Sequence, residues 1–115
     1  MGWGGLHRGD SGKPILRGAA QGGEAMTTIT YCTDGIVIDG HAEDPAACHG
    51  ISAISQMVAG FAEERGWAEV KAAEGHLEIR NVKEAYIGEP LFQAMAIALE
   101  DIANQYPDCV KIQRR

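Results

Sequence analysis

No uninterrupted apolar run in this chain approaches the roughly 18 residues of a membrane-crossing helix, and the N-terminus lacks an apolar stretch followed by a cleavage site. The expectation is a protein neither inserted in a membrane nor exported. Cysteine is scarce: Cys32, Cys48 and Cys109 form no CxxC pair, and an odd count is a poor basis for a disulfide framework. A reducing cytoplasm is the expected setting. Basic charge is also short. Ten Lys and Arg stand against 16 Asp and Glu, a formal net charge of −6, which argues against direct nucleic-acid binding, where a basic face supplies most of the affinity. A basic peptide suits this balance better.

With 115 residues, 45% of them hydrophobic and 23% charged, the chain has room for one compact domain and no second core. Residues 1–25 differ in kind from the rest. They hold eight of the 15 glycines and show neither helical nor strand periodicity, which predicts a disordered leader. Gly22-Gly23-Glu24 just before Ala25-Met26 reads like a purine-rich ribosome-binding site translated in frame, and on that reading the native protein starts at Met26. A genuine flexible tail is the alternative. The folded domain is expected over 26–115.

From Met26 the pattern is orderly. Thr27 to Cys32 is rich in β-branched residues, and Asp34-Gly35 separates it from Ile36 to Asp39, predicting an antiparallel hairpin that delivers Gly40 and His41 to the end of its second strand. Asp44-Pro45 predicts a helix start, with aspartate as N-cap and proline in the first turn. Ile51, Ile54, Val58 and Phe61 then mark an apolar stripe, so a helix is expected from Pro45 to Arg65. A second strand pair, Trp67 to Glu74 and Leu77 to Val82, is expected to turn at Glu74-Gly75. A second helix follows Pro90, carrying Leu91, Met95, Leu99, Ile102 and Tyr106 at helical spacing and stopping before Pro107. Cys109 to Ile112 alternates as a last strand. The order β-β-α-β-β-α-β is that of an α+β domain, with two helices packed on small β-sheets.

The stretch from Gly40 to Ser52 concentrates the chemistry. Cys48 falls in the first turns of the predicted helix, where unsatisfied N–H groups and the positive end of the dipole favour an anion, here a thiolate. His41, seven positions earlier, leaves the strand close enough to stabilise that thiolate and to protonate a leaving amine. Ser52 lies one turn beyond Cys48 on the same face. Each residue also has a plainer role. Cys48 continues the stripe toward Ile51, and spacing alone leaves nucleophile and buried filler as alternatives. Asp44 is first a cap, and Ser52 is a candidate for packing. His49 points about 100° away from Cys48 and is the weaker base. Cys48 with His41, His49 and Asp44 lacks the paired cysteines or i, i+4 histidines of strong zinc patterns, so neither metal nor cofactor is expected. Cys32 and Cys109 read as apolar filler in strands, and His76 carries no partner signal.

Gly40-His41-Ala42, then Cys48 with Ser52 four residues on, and the ending Ile102-Ala103-Asn104-Gln105-Tyr106-Pro107-Asp108-Cys109-Val110-Lys111-Ile112 resemble the ribosomal-processing cysteine protease family, Prp. The similarity runs over nearly all of Met26 to Ile112. It implies a cysteine endopeptidase in which a Cys48–His41 dyad removes an N-terminal extension from a large-subunit ribosomal protein, or processes a phage capsid or scaffold protein. It also implies a homodimer with helices between small sheets, and Gly40, Asp44 and Ser52 stand as candidates for supporting places around the dyad. Two departures stand out. Relatives usually have a longer, glycine-containing segment between histidine and cysteine, thought to be a mobile flap over the peptide groove. They also tend to place an aspartate where this chain has Pro45, with Asp44 one position earlier. The shortened segment favours a competing expectation, a catalytically silent module that binds a peptide or assembly partner. A thiol redox protein is a third, opposed by the lack of a nearby resolving cysteine.

Overall fold

The computed structural model describes residues 25–115, so the leader expected over 1–25 lies, but for Ala25, outside the described residues. The elements follow in the expected order: β1 (Thr27–Cys32), β2 (Gly35–Gly40), α1 (Pro45–Glu64), β3 (Glu69–Ala73), β4 (His76–Arg80), α2 (Pro90–Gln105) and β5 (Val110–Arg114). The strands join in one five-stranded sheet of order β3-β4-β2-β1-β5. β2 is central, antiparallel to β1 on one side and to β4 on the other; β1 also pairs in parallel with β5, and β4 is antiparallel to β3.

The β1–β2 hairpin closes one residue earlier than its Asp-Gly signal suggests. Cys32 pairs with Gly35, so Thr33 and Asp34 form the two-residue turn. Gly35 is needed for a different reason than turn geometry: a Cβ there would stand 1.9 Å from the Ile79 carbonyl oxygen of β4. Asp34 fastens this turn to the end of β4, accepting from Arg80 Nε at 3.1 Å and from the Asn81 N–H at 3.0 Å. Burial pushes the Asp34 carboxyl up, but the Asn81 N–H and the Arg80 guanidinium outweigh it and hold the group below the usual carboxylate range.

One face of the sheet is covered by both helices. Ile29, Ile36, Ile38, Leu77, Ile79 and Val110 from the strands meet Ile51, Val58, Met95 and Leu99 from the helices, all buried. The buried face of α1 is rotated from its expected stripe toward small residues: Ala47, Ile51, Ser55, Val58, Ala59 and Ala62 are inside, Ile54 is half-buried, and Phe61 is exposed. Small side chains let the helix lie close to the sheet and to α2, a preference that a reading based on large apolar residues misses. Phe61 turns instead to Trp67, edge to face at 5.4 Å, and Trp67 stacks on Tyr86 at 4.8 Å. These contacts tie the loop after β4 to the end of α1. Among the described residues no helix is long and apolar enough to cross a membrane.

Candidate active site

The turn from β2 into α1 brings the predicted residues together. Gly40 ends β2 with φ +95°, a conformation open to glycine, and a Cβ there would fall 2.2 Å from the Met26 carbonyl oxygen. The kink sends His41 off the strand end. Ala42 is buried, and the Glu43 N–H donates to the Ala25 carbonyl at 3.0 Å, so the short connection is held against the start of β1. Asp44 then caps α1: its Oδ1 accepts from the Ala46 N–H at 2.9 Å, with Pro45 in the first turn. Three residues further, Cys48 Sγ lies 4.0 Å from His41 Nδ1.

Cys48 keeps both of its sequence readings open. It is half-buried against the core, yet its thiol edge opens into a shallow pocket of about 100 Å³ shared with His41. Ser52 and Gln56 follow Cys48 at one-turn intervals and line the same pocket; Gly75 in the β3–β4 turn and His76 at the start of β4 line it too. Gln56 is the next polar position on the Cys48–Ser52 ridge, and that four-residue spacing is its signal in the sequence. His49 is exposed and does not line the pocket. Cys32 and Cys109 lie away from it, and none of the three cysteines is in a disulfide. Among the described residues no group of three His, Cys, Asp or Glu side chains is placed to hold a metal ion.

Asp44 is committed elsewhere than to the histidine. Its side chain takes the Ala46 N–H and its carbonyl takes the Cys48 N–H at 3.0 Å. Proline supplies no donor, and Ala47 is 1% exposed. The first turn of α1 therefore does not present a free pair of N–H groups to the pocket, which Ser52, Gln56 and His76 line with polar side chains.

His76, without a partner signal in the sequence, has two. Strand pairing sets it opposite Asp39, and its Nδ1 lies 2.9 Å from Asp39 Oδ1 while its Nε2 lies 2.7 Å from Glu78 Oε2. Only the imidazolium donates from both nitrogens, so the hydrogen bond to Asp39 and then that to Glu78 raise the His76 pKa above 6.5. A raised folded value means that the cluster stabilises fully below the unfolded pKa of about 6.5 and loses this contribution as pH climbs through the folded value. Melting temperatures of the native protein and of His76→Gln should thus differ most near pH 6 and draw together as pH rises above the folded value.

No protein-family model and no curated protein matches the sequence. Solved structures do match its fold. A crystal structure of the essential ribosomal processing protease Prp from S. aureus, in complex with a covalently linked product peptide, superposes with a TM-score of 0.67 at 21% identity, covering 78% of this chain and 100% of that one. The chain has the Prp fold. A second structure of the S. aureus protease, with a substrate peptide, gives a TM-score of 0.63 at 18% identity over 78% of this chain and 98% of that one. SMU.848 from Streptococcus mutans gives 0.58 at 17% identity over 82% and 99%. On this Prp fold, then, the connection that carries His41 and Cys48 lies between the central hairpin and the first helix.

Proposed function

We propose that this chain is a cysteine endopeptidase of the Prp family, with Cys48 as nucleophile and His41 as general base and acid. The observation that carries the reading is the 4.0 Å approach of Cys48 Sγ to His41 Nδ1 at the lip of a pocket, on a fold whose solved examples include a protease bound to peptides. His41 takes the thiol proton, and the sulfur pair forms a bond to the scissile carbonyl carbon. The tetrahedral adduct then collapses, its C–N bond breaks, and the departing amine receives the proton from the imidazolium. Water, deprotonated by His41, hydrolyses the thioester and frees Cys48. Ser52 and Gln56 offer donors to the carbonyl oxygen during these steps.

The substrate we infer is a basic N-terminal extension of a large-subunit ribosomal protein, supported by the name of the S. aureus relative and by this chain's net charge of −6. A phage capsid or scaffold protein is the alternative substrate. A cytoplasmic setting and a homodimer belong to the same proposal. Met57 on α1 and Ile97 on α2, 62% and 64% exposed, supply the helical layer with apolar surface for self-association.

Brief alkylation near neutral pH, mapped by peptide mass, separates the protease from a silent peptide-binding module. Cys48 should be modified first, ahead of Cys32 and of Cys109, which is buried. A Cys48 that reacts only after unfolding would favour the module.

A further inference from the structure

The β3–β4 turn does more than join two strands. Gly75 sits in it at φ +72°, and its bare Cα faces the edge of the His41 ring. A Cβ at this position would lie 2.8 Å from His41 Nε2, 3.2 Å from Cδ2 and 3.5 Å from Cε1. The same turn is tied to the chain one residue before the histidine, because the Gly40 N–H donates to the Gly75 carbonyl at 2.8 Å. His41 is thus bounded on two sides. Its Nδ1 edge meets Cys48, and its Nε2 edge rests on a residue with no side chain.

We propose that Gly75 is a positioning residue for His41, its missing side chain leaving the space in which the imidazole turns Nδ1 toward Cys48; this rests on the dyad reading above. The atom that yields to a side chain at position 75 is the far end of an exposed, rotatable histidine. The fold therefore tolerates the intrusion while the base moves. Displacement of a catalytic group by about 1 Å costs on the order of 100-fold in rate.

Gly66 supplies the control. It follows the C-cap of α1, Arg65, at φ +74°, nearly the same left-handed backbone, but a Cβ there meets nothing within 4 Å. Gly66→Ala and Gly75→Ala should carry similar backbone strain and similar losses in melting temperature. Only Gly75→Ala should shift the pH profile of Cys48 alkylation upward, part of the way to the profile of His41→Ala, and lower kcat about 10- to 100-fold with a smaller change in KM. Gly75→Asn adds a Cβ in a side chain that accepts positive φ, and gives the same readout should the alanine variant fold poorly. A Gly75 profile that overlays those of the native protein and Gly66→Ala, while His41→Ala is shifted, overturns the positioning role and leaves the dyad standing. A His41→Ala profile that does not shift removes the dyad and this proposal with it.

Discussion

Replacing Cys48 by alanine should abolish the proposed peptide cleavage, with a loss of roughly four to six orders of magnitude, the scale seen when one member of a nucleophile–base set is removed. The fold should survive. Cys48 is half-buried rather than central to the core, it follows the cap and proline that start α1, and alanine is the best helix former. Cys48→Ser tests the chemistry more narrowly, because the hydroxyl is nearly isosteric and keeps the helix surface while lacking a readily formed anion. Both variants should give native circular dichroism and no fragment by mass spectrometry. Full activity in Cys48→Ala would remove the cysteine mechanism, and a binding module would show neither cleavage nor any difference between variant and native protein.

His41→Ala should lower the rate by about 100- to 10,000-fold, the range of a general acid–base contribution. On the proposed dyad it should also move the pH profile of Cys48 alkylation upward, since the imidazole that takes the thiol proton, 4.0 Å away, is gone. Stability should change little, because the His41 side chain is exposed and the backbone around it is held by Gly40, Ala42 and Glu43. The pairing of a large rate effect with a small thermal effect distinguishes a base from a packing residue. An unchanged alkylation profile would place the activation of Cys48 elsewhere.

Local signals carried most of the fold. The cap at Asp44 with Pro45, the stop before Pro107 and the turn at Glu74-Gly75 each fix backbone conformation within a few residues, and each stands where the sequence reads it. Long-range geometry was less legible. Gly35 looks like a turn glycine, but the obstacle that requires it is the Ile79 carbonyl, more than forty residues away in sequence. The buried face of α1 departs from its apolar stripe at Phe61 because hydrophobicity does not report how closely Ala59 and Ala62 let the helix approach. In the candidate site, His41 and Cys48 were legible since a single short connection joins them. The partners of His76 come from cross-strand register, and the contact of Gly75 with His41 comes from the sheet drawing two turns together. Neither has a local signature.

The most direct measurement incubates the native protein with an N-terminally extended ribosomal protein of the large subunit encoded by the same genome, and reads the intact mass of that substrate over time. The expected result is release of the extension at a single position by the native protein and an unchanged mass with Cys48→Ala. An unchanged mass with both proteins, or the same fragment from both, contradicts the assignment of Cys48 and His41 as a proteolytic dyad for this substrate.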